Sequence, residues 1–200
     1  MDKKIAYTLL SLLFVVTWIW AAIEPLHHDD WVLENILVFI TIPIVFWTGH
    51  YFKFSMLSYL FITLFMILHV IGSHYTYAEV PWGFTLGEWL GSQRNMYDRL
   101  IHLLFGVLIV YPFREIVIRI AKIKDFWSYL VPFMIITAMA GGYEVMEWIT
   151  ADMVDPEAGI AFLGTQDDIW DAQKDIFVAM IGGFATLVII KLSSFVSRMF

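Results

Sequence analysis

Between Ile5 and Ile23 lie 19 consecutive residues without a formally charged side chain, and about 20 such residues are what a helix needs to cross a hydrocarbon core of about 30 Å. Five more uncharged stretches follow. Asn35 to Phe52, Phe54 to Ala78 and Phe126 to Tyr143 are each long enough to span, the first two with histidine as their most polar ring. Leu100 to Phe113 and Ile176 to Ile190 are shorter, at 14 and 15 residues, and span only if neighbours such as Asp98, Arg99, Arg114 or Asp175 enter the membrane edge. A chain that is 60% hydrophobic, 16% charged and of mean hydropathy +0.74 is no water-soluble domain, which carries about a quarter charged residues. The expectation is an all-α polytopic membrane bundle of six transmembrane helices, with residues 1–200 forming a single integral-membrane domain. Met1 to Lys4 is a basic start, but the run behind it exceeds a signal-peptide core and no A-x-A cleavage site follows, so the first stretch is read as a span.

Charge position gives an orientation. If all six stretches cross, Lys3, Lys4, Lys53, Arg114, Arg119, Lys122, Lys124, Lys191 and Arg198 share one side, against Arg94, Arg99 and Lys174 on the other. Basic residues stay inside, so both termini are expected in the cytoplasm. The acidic residues concentrate on the outer face, and that distribution means more than the net −7. The lipid bilayer is the implied partner and nucleic acid is excluded. The absence of cysteine excludes thiol catalysis, disulfides and thiolate metal sites. Two connections of about 25 residues, Ser73 to Asp98 and Glu147 to Ala172, face outward and are long enough to cover a cavity.

Ionisable groups in or beside spans are costly and are therefore functional candidates. They gather at the outer end. His69 and His74 are five apart and converge only if the third span breaks, with Gly72 allowing His74, Tyr75 and Tyr77 to fold back. The fourth span opens with Asn95, Asp98, His102 and Gly106 on one stripe, where Asp98 can orient the imidazole or share a cation with it. Glu144 and Glu147 end the fifth span, beside Ala138, Gly141 and Gly142, which permit close helix approach. Asp168, Asp171 and Asp175 open the sixth at helical spacing, leading to Ala179 and Gly182. Mixed imidazole and carboxylate suits Zn, Mn or Fe, so a divalent metal is a candidate cofactor, with His69, His102, Glu144, Asp168, Asp171 and Asp175 as candidate ligands.

Structural explanations stand beside these. A lone intramembrane histidine such as His69 also serves as a packing residue. Asp98 and Arg99 can anchor a short helix as an ion pair. Glu147, Asp152, Asp155 and Glu157 read as solvated acids. Asp168 and Asp171 suit a helix N-terminus electrostatically. Arg114, Arg119, Lys122 and Lys124 are a topology signal first and an anionic-lipid contact second.

The segments HVIGSHYTY (69–77), RNMYDRLIH (94–102), YEVMEW (143–148) and GTQDDIWDAQKD (164–175), in this order, resemble the YjdF-type family of bacterial inner-membrane proteins over nearly the whole chain. The resemblance implies a multi-pass inner-membrane protein without supplying a reaction. A fainter similarity is to VanZ-like proteins linked to glycopeptide resistance. There the order Asp98, His102, Glu144, Asp171 or Asp175, and Gly182 or Gly183 fits, while the long HVIGSHYTY and GTQDDIWDAQKD segments are extra. That similarity implies a cell-envelope context.

Three functions fit such a chain. The first is a membrane-embedded enzyme acting on a lipid or envelope substrate. Its catalytic candidates are His69, His74, Asp98, His102, Glu144 and Asp171, and Arg94, Arg99, Tyr75 and Tyr97 are the substrate-binding candidates. The second is a small proton- or cation-coupled transporter, disfavoured by the lack of two matched halves and of charge in the inner halves of the spans. The third is a non-catalytic accessory protein whose polar cluster fixes helix packing.

Overall fold

The computed structural model describes residues 3–196, with side chains from 4 to 193. Arg198 and the Lys3 side chain, counted above on the basic side, lie outside the described residues. Those residues form α1 (Lys3–Ala21), α2 (His28–Thr48), α3 (Met56–Tyr75), α4 (Pro81–Trp89), α5 (Tyr97–Arg119), α6 (Trp127–Met153), α7 (Pro156–Leu163) and α8 (Asp171–Val196), with a 3-10 turn at Tyr77–Glu79 and no strand among them. All but α4 and α7 are long and apolar enough to cross a membrane. This is an all-helical, multi-pass membrane protein of six spans.

The α5 helix is the axis of the bundle, packed against α3, α6 and above all α8. The α5–α8 contact is close because it is built from residues without side-chain bulk. A Cβ on Gly106 would strike the Ala179 carbonyl oxygen, and one on Gly182 the Leu103 carbonyl oxygen, so only glycine lets the two backbones meet. The small residues of α6 do not play this part: nothing lies within 4 Å of a Cβ built on Gly142, and only the tip of Ile176 approaches one on Gly141. The α1, α2 and α6 helices leave broad apolar faces exposed, including Val16, Phe46 and Trp148. Their backbone hydrogen bonds close within each helix, so such faces can meet lipid without further partners.

The helices extend past their uncharged stretches where protein covers the polar residues. The second span begins at His28 instead of Asn35, taking in Asp29, Asp30 and Glu34. Carboxylates suit the first helical turn, and Asp30, Glu34 and Asn35 are buried against protein rather than lipid. Asn35 accepts a hydrogen bond from Trp18 Nε1 at 2.7 Å, tying α2 to α1. The fourth span runs from Tyr97 to Arg119, longer than its uncharged stretch because its polar first turns face other helices.

The two long connections contain structure of their own. The first holds the 3-10 turn and α4, the second α7. They are stitched together at Asn95, whose N–H donates to Gln166 Oε1 at 2.8 Å while Gln166 Nε2 donates back to the Asn95 carbonyl at 3.1 Å. Asn95 Nδ2 also donates to the Val80 carbonyl, and its Oδ1 accepts from the Tyr97 N–H at the start of α5. At the basic end, the Glu115 carboxylate accepts from the Ser55 N–H and from Ser58 Oγ at 2.5 Å and pairs with Arg119, joining α3 to α5.

Candidate functional site

Helix phase decides which polar groups meet. Asp98 and His102 lie one turn apart on α5, Asp171 and Asp175 one turn apart on α8, and the glycine contact beneath them forces these two faces together. Asp98 Oδ1 is 3.6 Å from His102 Nε2, and Glu144 Oε1, arriving from α6, is 3.3 Å from the same nitrogen. One ligand atom each from Asp98, His102 and Asp175 lie within 4.8 Å of one another. Asp175 is 1% exposed; its Oδ2 is 3.3 Å from Arg99 NH1, while its buried Oδ1 has no hydrogen-bond partner.

Two arginines brace the acids from α5 and the turn before it. Arg94 NH2 is 2.6 Å from Asp171 Oδ1 and 4.0 Å from Asp98, and Arg94 NH1 donates to the Thr165 carbonyl at 2.5 Å. Arg99 reaches Asp171 at 2.7 Å and Asp168 at 3.4 Å. Both guanidinium groups are thus engaged with protein carboxylates rather than presented as a clamp for a substrate anion. Asp168 sits at the rim, where Lys174 Nζ donates to both its oxygens at 2.7 and 2.9 Å; those hydrogen bonds hold its carboxyl below the ordinary carboxylate value. A depression of about 460 Å³ opens over the cluster, lined by Glu144, Glu147, Thr165, Asp168 and Asp171. Glu147 is half-buried at this wall, in contrast to the solvated acid expected, whereas Asp152, Asp155 and Glu157 are exposed.

A second polar layer lies behind the first. Glu34, 5% exposed, accepts a hydrogen bond from Tyr143 OH at 3.0 Å, and the Tyr143 ring packs edge-on to His102. Thr76 adopts φ +60, a left-handed backbone rare for a β-branched residue, and its Oγ1 donates to Asp30 Oδ2 at 3.0 Å. That turn throws Tyr77 back over Gly72, where a Cβ would lie 2.6 Å from the ring. Tyr77 OH and His69 Nδ1 are 2.5 Å apart, and His69 Nε2 is 3.0 Å from the Glu34 carbonyl oxygen. A carbonyl only accepts, so Nε2 carries the proton, Nδ1 accepts, and Tyr77 donates. Burial pushes the Tyr77 phenol well above 10, with the Glu34 carboxylate adding to it, which keeps that donor protonated.

The sequence candidates therefore separate into two groups. Asp98, His102, Glu144, Asp168, Asp171 and Asp175 come together with Arg94 and Arg99. His69 stands behind them with both ring nitrogens committed. His74 does not join it, because α3 stays helical to Tyr75 and the two rings point to different faces. His74 stacks on Trp20 at 4.4 Å and lies 3.2 Å from the Ala21 carbonyl oxygen through Nδ1. Tyr75 packs beside His74, and Tyr97, fully buried, donates to the Leu68 carbonyl at 2.5 Å. Glu34 and Tyr143 belong to the constellation although the sequence reading placed Glu34 outside its span. The signal for Glu34 is the spacing Asp30, Glu34, Asn35, Val38, one helical stripe in which three of four members are polar.

Imidazole with two carboxylates is a donor set that could hold a borderline divalent cation such as Zn²⁺ or Mn²⁺. Arg99 on the second oxygen of Asp175 is the outer-shell contact that fixes a ligand's orientation. The surplus of acid points the same way. Asp98, Asp171 and Asp175 meet two arginines while Glu34, Glu144 and Glu147 have none, and bound protons or a cation would offset the surplus.

Residues 6–194 match the predicted membrane protein family DUF2238. The chain is 34% identical over 184 residues to the inner membrane protein YjdF of Escherichia coli (strain K12), a match covering 90% of this chain and 84% of that protein. No solved structure matches it.

Proposed function

The chain belongs to the DUF2238 family of predicted membrane proteins, and from that premise we propose that it is a membrane-embedded enzyme of the bacterial inner membrane, acting at the periplasmic leaflet on a lipid or envelope substrate with a divalent cation at Asp98, His102 and Asp175. The observation that carries this is the convergence of one ligand atom each from Asp98, His102 and Asp175 within 4.8 Å, where Asp175 also has a buried Oδ1 without a hydrogen-bond partner. Burying a carboxylate oxygen without a partner is costly, and a cation removes that cost. A bound cation supplies Lewis acidity and a more acidic bound water. Glu144, whose side chain lines the depression and whose Oε1 lies 3.3 Å from His102 Nε2, would accept a proton from a group entering there. Arg94 and Arg99 hold Asp171 and Asp175 in position, and the apolar α5–α8 contact below the cluster keeps water from passing.

Transport is the weaker reading, because beyond the carboxylate cluster the α5 and α8 backbones touch at Gly106 and Ala179, and the α5 residues that follow, Val107 to Val110, are apolar. A purely structural role is favoured by one observation, the engagement of both arginines by Asp171.

The test is metal analysis of the detergent-purified protein, together with mass spectrometry of envelope lipids incubated with it. About one Zn²⁺ or Mn²⁺ per chain is expected, lost in Asp175→Asn and His102→Ala and kept in Asp152→Asn, with a lipid product that His102→Ala abolishes. A protein that binds no transition metal and leaves every lipid unchanged refutes the enzyme reading.

A further inference from the structure

At the end of the bundle opposite the carboxylate cluster, α5, α6 and α8 diverge around a groove of about 770 Å³. Its walls are Phe133 on α6 and Phe184, Leu187 and Val188 on α8; its mouth carries Arg114, Lys191 and Asp125. The Arg114 guanidinium carbon lies 4.3 Å from the centre of the Tyr129 ring, and Lys191 Nζ lies 5.9 Å from the same centre. Tyr129 therefore gathers two cations at one mouth. Arg114 Nε is buried and has no hydrogen-bond partner.

The chemistry of the occupant follows from the two ends of the groove. Its apolar side opens outward, with Phe184 63% and Phe126 66% exposed, and on a membrane span that side meets acyl chains. A soluble anion would satisfy the mouth but leave this wall uncovered. A neutral hydrocarbon would cover the wall but bring no acceptor to the Arg114 guanidinium at the mouth. Two cations held at one mouth by Tyr129 suit the negative charge of a phosphodiester. The distance along α8 from Lys191 to Phe184 is about 10 Å, enough for the upper part of one acyl chain.

We propose that this groove binds one anionic glycerophospholipid of the phosphatidylglycerol class, its phosphate held by Arg114 and Lys191 and one acyl chain laid along Phe133, Phe184, Leu187 and Val188. A guanidinium on a phosphate makes strong charge-assisted hydrogen bonds, and basic pockets between spans are where anionic headgroups settle. The site is independent of the enzyme reading: it lies at the other end of α5 and shares no residue with the carboxylate cluster.

Native mass spectrometry of the full chain released from detergent tests this, with dioleoylphosphatidylglycerol, dioleoylphosphatidylcholine and inorganic phosphate as separate probes. Expected is one phosphatidylglycerol adduct per chain, at least tenfold tighter than phosphatidylcholine and not displaced by millimolar phosphate. The double variant Arg114→Gln/Lys191→Gln is expected to weaken it about tenfold or more. Val188→Trp, which fills the groove and leaves the mouth untouched, is expected to abolish it and keeps the proposal testable should the double variant fail to fold. Asp175→Asn should leave it unchanged. Equal affinity for the two lipids, displacement by phosphate, or an adduct that persists in Val188→Trp overturns the proposal.

Discussion

Glycine to alanine is the same chemical change at positions 106 and 142, yet the two are expected to move stability in opposite directions. Within a helix, alanine is favoured over glycine by about 0.5–1 kcal/mol because it restricts the unfolded backbone. At Gly142 nothing lies within 4 Å of the added methyl, so that gain is realised in full. At Gly106 the methyl meets the Ala179 carbonyl and the Gly183 amide. Both are backbone atoms of a packed helix and cannot rotate aside. Overpacking of this kind costs about 1–3 kcal/mol, which outweighs the propensity gain and leaves a net loss of up to about 2 kcal/mol. For a chain of this length each kcal/mol shifts the midpoint by about 2–4 °C. Thermal unfolding in one detergent, followed by circular dichroism, should therefore place Gly142→Ala above the parent and Gly106→Ala clearly below it. Because Asp98 and His102 ride on α5 and Asp175 on α8, Gly106→Ala should also weaken divalent-cation binding while Gly142→Ala leaves it intact. Two shifts of the same sign would refute the reading that glycine sets the α5–α8 distance.

Asp171→Asn removes the negative charge shared by Arg94 and Arg99 but leaves an amide oxygen, with Asp168 and Asp175 still on Arg99 and the Thr165 carbonyl on Arg94, so a loss of about 1–3 kcal/mol is expected; chemical denaturation should show it, against a change within about 0.5 kcal/mol for exposed Asp152→Asn. Tyr77→Phe leaves His69 Nδ1 without its donor and should cost about 1–3 kcal/mol at neutral pH. The Tyr77 phenol is raised in the folded state, so its contribution is fully present below about pH 10, the unfolded value, and is lost as pH rises through the folded value. The gap between the parent and Tyr77→Phe should therefore narrow in alkaline unfolding curves; a gap that stays constant above pH 10 would count against the buried phenol.

Periodicity and hydropathy made the six spans legible because lipid imposes one requirement on every crossing segment. It made the stripe Asp98, His102, Gly106 legible too, as residues three to four apart share a face whatever surrounds them. Burial by protein was invisible to the same reasoning. Asp30 and Glu34 looked like loop residues because carboxylates seemed incompatible with a span, and only the packing of α2 on α3, with Tyr143 reaching across from α6, shows that they are buried in protein. His74 and Tyr75 looked like members of the cluster because they share a short segment with His69. The unbroken α3 helix turns them toward α1 instead.

What the sequence by itself determined is the class of fold and the composition of the polar end: six membrane helices, with acid, imidazole and arginine at matching helix ends. Those properties depend on local periodicity and on transfer of side chains from water, and neither needs a partner. What only the tertiary structure decided is which of these groups face one another. Contact between α5 and α8 depends on two backbones meeting at Gly106, Ala179 and Gly182, and the retreat of Tyr77 onto His69 on a left-handed residue at Thr76. Those are long-range distances, set by the fit of whole helices, and no local pattern encodes them.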